Sequence, residues 1–193
     1  MEIDLKGHLI LIMAPSGSGK GLLIDHIRTN VPEVYLAISC TTRNPRPGEV
    51  DGEVYYFLTE AEFEEKIQND EFLEWAEFSG NKYGTLKSEI LEPMREGKVV
   101  LREVELQGIL AIRELIPKSK RTIVYIEAGS WEVLQERIVK RAPISEEHLK
   151  MRQERYLEES KWKAFADKVI ENNEGRLEEA KQELEDLIKI YLK

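Results

Sequence analysis

Cysteine is almost missing from this chain: Cys40 is the single one among 193 residues. One thiol excludes an internal disulfide and a cysteine-built metal cluster, and it suits a reduced, cytoplasmic setting. Histidine is scarce as well. His8, His26 and His148 are scattered, without the short spacing that metal ligands need. No apolar stretch approaches the roughly 20 residues of a membrane span, and no secretory leader pattern opens the chain. Positive charge is in deficit, with 28 Lys and Arg against 37 Asp and Glu and a formal net charge of −9. Such a chain is not drawn in bulk to nucleic acid or to an anionic membrane, so any phosphate recognition must come from local clusters. What is left is a composition 41% hydrophobic and 34% charged, over a length that suits one α/β domain with small insertions.

One such cluster stands near the start. Ala14-Pro15-Ser16-Gly17-Ser18-Gly19-Lys20-Gly21 follows the apolar run His8 to Met13 and precedes the helically spaced Leu22, Leu23, Ile27 and Val31. Strand, glycine-rich turn and helix start form the context of a phosphate-binding loop. Gly17 and Gly19 let the backbone expose its N–H groups, the helix adds its positive end, and Lys20 adds a mobile full charge. Two positions depart from the usual motif. Ala14 stands in place of the first glycine, and Gly21 in place of the hydroxyl residue that helps hold a magnesium ion.

Further along, apolar strand-like runs alternate with amphipathic helical ones. Strands are expected at 34–39, 54–58, 71–78, 99–105, 122–126 and 168–170. Asp51-Gly52 carries a hairpin signal, and Thr59 with Glu62 forms a capping box for a helix bearing Phe63 and Ile67. Helices are expected at about 87–96, stopped by Gly97, then from Leu106 to before Pro117, from Ser130 to Lys140, and from Ser145 to about Ala164. Leu177, Ala180, Leu184, Leu187, Ile188 and Tyr191 stripe a last helix. Alternation of strand and helix predicts a parallel sheet covered on both faces. The hairpin-rich stretch from Ser39 to Lys87 breaks that rhythm and reads as an inserted lobe.

Several ordered segments closely resemble the guanylate kinases, which phosphorylate GMP with ATP. They are Ser39-Cys40-Thr41-Thr42-Arg43-Asn44-Pro45-Arg46-Pro47-Gly48-Glu49-Val50-Asp51-Gly52, Glu71-Phe72-Leu73-Glu74-Trp75-Ala76, and Gly80-Asn81-Lys82-Tyr83-Gly84-Thr85. Glu105-Leu106-Gln107-Gly108 and Asp167-Lys168-Val169-Ile170-Glu171-Asn172 look like later landmarks of the same family. The resemblance implies one domain over 1–193. Its phosphate-loop parallel β-sheet, flanked by helices, makes up 1–38 and 88–193, with a mixed-β monophosphate-binding lobe at 39–87 and a helical lid at about 137–155.

Residue chemistry fits that resemblance. Arg43 and Arg46, three apart around a proline-stiffened turn, suit a phosphate monoester, and Tyr55 and Tyr83 can donate to the same oxygens. Glu74 can accept from the ring N–H and the exocyclic amino group of guanine, whereas adenine would leave the carboxylate unpaired. By resemblance, Ser39 and Thr85 bond the carbonyl side of the base, and Gly84 belongs to the same motif. Glu103 and Glu105 fall where the family usually has aspartates, one methylene shorter. Arg137 and Arg141 share a helix face at i and i+4, and with Arg152 they match arginines that close over the ATP phosphates. Lys140 and Arg155 read as surface charges. Asn172 resembles the asparagine near the adenine ring. The usual Gly-Arg-Gly hinge between the lid helices is replaced by Lys140-Arg141-Ala142-Pro143.

The expectation is therefore a cytoplasmic guanylate kinase that moves the γ-phosphoryl group of ATP to GMP or dGMP. Lys20, Arg43, Arg137, Arg141 and Arg152 would be its catalytic residues. Residues 14–21 and Asn172 would hold ATP, and Mg2+ would be held through phosphates and water, with no direct side-chain ligand. Its partners would be these small molecules, in a monomer or homodimer. Two rivals stay open: a non-catalytic scaffold module that binds a phosphopeptide in the acceptor site, and a phosphotransferase for another small acceptor such as a ribose bisphosphate.

Overall fold

The computed structural model describes residues 4–78, 80–104, 106–141 and 143–192, and every side chain in them except those of Phe78, Leu106, Gln107 and Arg141. Along the chain, β1 (His8–Met13) leads to α1 (Lys20–Asn30), β2 (Tyr35–Leu36), β3 (Ser39–Thr41) and β4 (Tyr55–Phe57). Then come α2 (Glu60–Gln68), β5 (Phe72–Phe78), β6 (Asn81–Leu86), α3 (Lys87–Arg95), β7 (Val99–Glu103) and α4 (Leu106–Leu115). The remainder is β8 (Arg121–Glu127), α5 (Trp131–Arg141), α6 (Glu146–Lys161), β9 (Lys168–Glu171) and α7 (Leu177–Lys189). A five-stranded sheet has the order β2-β7-β1-β8-β9, and a four-stranded sheet the order β4-β3-β6-β5. β1 is buried along its whole length, as an unbroken apolar run in a helix-covered sheet should be. The α/β expectation is met.

Contacts divide the chain into two compact units: residues up to Leu9 with Tyr35–Arg121, and Ile10–Val34 with the chain from Thr122 onward. In the first unit, β2 pairs with β7 in parallel. The four-stranded sheet is mixed, with β3–β4 parallel and both β3–β6 and β5–β6 antiparallel. Its apolar side is closed by α2. Thr59 accepts from the Glu62 N–H at 3.2 Å while Glu62 accepts from the Thr59 N–H at 2.7 Å, completing the capping box. That start aims Phe63 inward, where it is fully buried and stacks on Phe72 at 4.3 Å, beside Cys40. A buried phenyl of this kind is worth about 3–5 kcal/mol against alanine. Burial also pushes the Cys40 thiol up to about 12, so the single cysteine stays protonated.

Two local expectations fail in this unit. The strand expected at 34–39 is only Tyr35–Leu36 in one sheet, and Ser39–Thr41 belongs to the other. A buried carboxylate on α3 stands at the changeover: Glu89 accepts from the Ile38 N–H at 2.9 Å and from the hydroxyls of Tyr35 at 3.0 Å and Tyr56 at 3.1 Å. The Ala37 N–H still donates to the Leu101 carbonyl of β7 at 3.1 Å, and the next N–H, which faces the other way, is satisfied by this side chain. Nor does Asp51-Gly52 close a hairpin, because β3 and β4 run parallel. Asp51 instead accepts from the Phe57 N–H at 2.7 Å, and the Gly52 N–H donates to the Tyr55 carbonyl at 2.9 Å.

In the second unit, β8 and β9 pair in parallel. α7 buries Ala180, Leu184 and Ile188 at four-residue spacing, the middle of the expected stripe. Tyr191 lies beyond the helix and pairs its hydroxyl with Thr122 at 3.0 Å. His26 of α1 meets Glu185 of α7 at 2.8 Å. Trp131, Leu134 and Ile138 of α5 cluster with Ala128, and Ile144, Leu149 and Tyr156 pack against them. Ser145 caps α6 by accepting from the His148 N–H at 3.3 Å. This helix ends at Lys161, and Trp162–Phe165 tighten into a 3-10 turn instead of continuing it to Ala164. No helix among the described residues is long and apolar enough to cross a membrane.

Candidate active site

The second unit holds a site made mostly of backbone. The loop after β1 turns through Gly17 at φ +84° and Gly19 at φ +81°, a left-handed region that L side chains rarely adopt. Space forbids side chains there too. A Cβ on Gly17 would lie 3.1 Å from Ile138 Cγ1 and 3.3 Å from the Leu134 carbonyl, and one on Gly19 only 2.6 Å from Asn172 Nδ2. Asn172 is buried and braces the turn, donating from Nδ2 to the Ser18 carbonyl at 2.7 Å. Its own N–H donates to the Glu127 carbonyl at 2.6 Å at the end of β8, so the loop is tied to the sheet of this unit. Lys20 opens α1 and folds its Nζ back onto the Ala14 carbonyl at 3.3 Å.

Two expected lid arginines already touch this neighbourhood. Arg152 of α6 donates to the Ser16 hydroxyl, and Arg137 of α5 donates to the Asn172 carbonyl at 3.3 Å. The Arg141 side chain, Ala142 of the expected hinge, and Glu105 lie outside the described residues. Lys140 pairs with Glu136 at 3.9 Å and Arg155 with Glu159 at 3.5 Å, in keeping with surface charges. Gly21 is exposed, and a Cβ built on it would meet nothing within 4 Å. The missing hydroxyl is therefore not a steric requirement. Among the described residues no group of three or more His, Cys, Asp or Glu side chains comes together as a metal site.

The first unit holds a site made of side chains. Arg43, just past β3, stands over two neighbouring rings, 5.6 Å from the centroids of both Tyr55 and Phe57. Its Nη2 donates to both oxygens of Glu49, at 2.9 and 3.1 Å, and Nη1 donates to the Asn44 carbonyl at 2.7 Å. Glu49 also accepts from the Arg46 N–H at 2.7 Å. That backbone bond, followed by the Arg43 fork, holds the Glu49 carboxyl below its ordinary range. Burial pulls the Arg43 pKa down, but the Glu49 bond and charge outweigh it and leave it raised. Tyr55 and Tyr83 meet edge to face at 6.1 Å. Burial first, and then the charge of Glu103, raises the Tyr55 hydroxyl. Arg43 thus lies beside Tyr55, which meets Tyr83, and its charge and the Arg46 N–H converge on Glu49, an acid that sequence reasoning did not single out.

A second group in this unit contains Ser39, Glu74 and Thr85. Thr85 is buried and donates its hydroxyl to Glu74 Oε1 at 2.5 Å. Glu74 comes close to α4 because Gly108 has no side chain, and a Cβ there would stand 3.3 Å from Glu74 Cγ. Gly84 is buried beneath the Phe72 ring, where a Cβ would lie 2.7 Å from Cδ1, so packing by itself demands glycine at this point. The centre of the group is Arg102 of β7, which sequence reasoning passed over. Its Nη2 donates to Ser39 Oγ at 2.5 Å and to Thr85 Oγ1 at 2.7 Å, and its Nη1 to the Ala37 carbonyl at 3.4 Å. The available signal was a lone arginine directly after the apolar Val99-Val100-Leu101, which β7 buries. Burial pulls the Arg102 pKa down, against Glu74 and then Glu103, which pull it up. Glu103 is exposed at the end of the same strand.

A glycine turn with a lysine at a helix start, on an α/β scaffold, defines the class of phosphate-loop nucleotide proteins. The family model described as guanylate kinase matches residues 6–191. A guanylate kinase of Synechococcus sp. (strain JA-3-3Ab) is 40% identical over 95% of this chain and 82% of its own length. That of Nostoc sp. (strain PCC 7120) is 45% identical over 82% of this chain and 78% of its own. The chain belongs to the guanylate kinase family. A guanylate kinase crystal structure from Anaplasma phagocytophilum superposes with a TM-score of 0.71, covering 100% of this chain and 90% of that one. At 23% identity it bears on the fold alone.

Proposed function

We propose that this protein transfers the γ-phosphoryl group of ATP to GMP, and to dGMP, giving ADP and GDP or dGDP in purine nucleotide metabolism. An acceptor-phosphate oxygen attacks the γ-phosphorus as its bond to the bridging oxygen of ADP breaks. The attacking oxygen is already anionic, so no strong general base is needed, and alignment with charge compensation supplies most of the rate. The observation that carries the reading is the pairing of Arg43 with Glu49. A doubly charged acceptor phosphate brings the same oxygen fork that Glu49 presents, so it can take over the guanidinium in place.

On the donor side, the N–H groups of 16–21 and the Lys20 ammonium would bind the β- and γ-phosphates. Arg137, Arg141 and Arg152 would spread positive charge over the transferring group. Asn172 would lie on the adenine side. On the acceptor side, Arg43, Arg46, Tyr55 and Tyr83 would hold the phosphate, while Ser39, Glu74, Thr85 and Glu103 hold the base. The lobe at 39–87 carries the acceptor roles apart from Glu103, and the lid at about 137–155 carries the three donor-side arginines. Mg2+ would be held by phosphate oxygens and water, because Gly21 leaves open space and no oxygen at the helix start. When bound, it would neutralise charge on the donor phosphates. A coupled ADP-release assay with GMP, AMP, UMP and ribose phosphates tests the reading. Turnover should be confined to GMP and dGMP, and turnover with ribose phosphates, or none with any acceptor, would overturn it.

A further inference from the structure

Arg102 is a full charge on a strand of an otherwise buried apolar run, and a structural latch would not need its particular partners. Both hydrogens of a single amino group, Nη2, go to hydroxyls: Ser39 Oγ at 2.5 Å and Thr85 Oγ1 at 2.7 Å. Ser39 and Thr85 are both buried. A guanidinium has only donors, and a hydroxyl has one donor and two acceptor sites. Each hydroxyl facing Arg102 is therefore obliged to accept from it and to point its own hydrogen elsewhere. Thr85 already does this, giving its hydrogen to Glu74 at 2.5 Å. The Nε of Arg102 is enclosed and has no partner among the described residues, so the guanidinium keeps one donor in reserve.

We propose that Arg102 is a positioning residue for base selection: it fixes Ser39 and Thr85 as hydrogen donors toward the 6-oxo group of the purine. This rests on the reading of Ser39, Glu74 and Thr85 as the base pocket. When guanine's ring N–H and amino group fill the Glu74 oxygens, the Thr85 hydrogen is released to turn toward the 6-oxygen. A 6-amino group would bring hydrogens to two hydroxyls whose lone pairs Arg102 already draws on. A base with nothing at that position would leave the Ser39 hydrogen unmet and the Thr85 hydrogen on Glu74. Polarity at the 6-position is thus set by a residue behind the hydroxyls and not by the hydroxyls alone.

The test compares kcat/KM for GMP, for IMP, which keeps the 6-oxo and lacks the 2-amino group, and for 2-aminopurine riboside monophosphate, which does the reverse. Arg102→Met should lower GMP and IMP by about tenfold or more, with 2-aminopurine nucleotide changed less than about twofold. The GMP to 2-aminopurine ratio then falls by about tenfold. Should Arg102→Met fail to fold, Arg102→Lys keeps the charge without the flat fork, and its ratio should fall by about threefold. A uniform loss across all three acceptors, with the ratio unchanged, is what a latch would give and would overturn the proposal. Ser39→Ala and Thr85→Val separate the two levels. If they lose the ratio while the Arg102 variants keep it, Arg102 alone is wrong. If they keep it, the base pocket itself is misread.

Discussion

The two halves of the candidate machinery are built by different means. The phosphate loop relies on positions that must have no side chain, with Gly17 and Gly19 held at positive φ and hemmed in by Ile138 and Asn172. The acceptor side relies on side chains that already bond one another, Arg43 with Glu49 and Arg102 with Ser39 and Thr85. A backbone cradle presents donors that any phosphate can use. A cluster of prepaired side chains must give up or redirect bonds when a ligand arrives, and this makes it selective. On the proposed reading, the loop supplies mainly charge compensation and the side-chain cluster discrimination. Lys20→Ala and Arg43→Ala probe that division most strongly. The first should cut kcat by about 10²–10³-fold with stability within about 0.5 kcal/mol of wild type. The second should cut kcat/KM by about 10²-fold, largely through the KM for GMP. Steady-state kinetics with each substrate varied in turn read both, and an Arg43→Ala defect confined to the KM for ATP would break the division.

Next in size is the base. Glu74→Gln replaces two acceptor oxygens with one oxygen and a donating amide, so one guanine N–H loses its partner. The preference for GMP over AMP should drop by about tenfold or more, read as the ratio of kcat/KM values. An unchanged ratio removes Glu74 from the role. The variant also leaves the backbone loop of the second unit untouched, so the KM for ATP should stay where it was.

The same contrast explains what the sequence could tell. The phosphate loop was legible because its reason is local: strand, two glycines, lysine and helix lie within about a dozen residues. The capping box of α2 and the stripe of α7 were legible for the same reason. What stayed hidden depends on partners distant in sequence. Glu89 accepts from the Ile38 N–H, 51 residues earlier, where the chain passes from β2 to β3, and Asp51 binds the Phe57 N–H instead of closing a hairpin. Arg102 lies 63 residues from Ser39 and 17 from Thr85. Neither propensity nor period reports such pairs, and only the long ordered resemblance placed the acceptor residues at all. It assigns no role to Arg102, nor to Glu49, which lies inside one of the resembling segments.

A smaller effect sharpens the prepairing itself. The Glu49 carboxyl is held below its ordinary value by the Arg46 N–H and then by Arg43. A carboxyl depressed in the folded state contributes stability above its unfolded value, and loses it as pH falls through the folded one. The gap in Tm between wild type and Glu49→Gln should therefore be widest near neutral pH and should close as pH falls below the ordinary carboxylate range. Thermal melts across that range check it. A gap that stays constant with pH would mean that the loop is held by something other than this ion pair.

The smallest expected effect lies at Gly21, where the backbone site departs from its own rule. Gly17 and Gly19 cannot carry a side chain, whereas a Cβ on Gly21 enters open space and its φ is not in the positive region. Serine should therefore be accepted there without strain. On the proposed reading, the ion is held by phosphate oxygens and water, and the hydroxyl of Gly21→Ser would replace one of those waters at the start of α1. One water exchanged for a tethered hydroxyl is a modest gain. The Mg2+ concentration for half-maximal turnover should fall by about two- to fivefold, with the KM for GMP unchanged. Titrating Mg2+ at fixed, saturating ATP and GMP reads this directly. A serine that folds normally yet leaves the Mg2+ dependence unmoved would place the ion away from the start of α1.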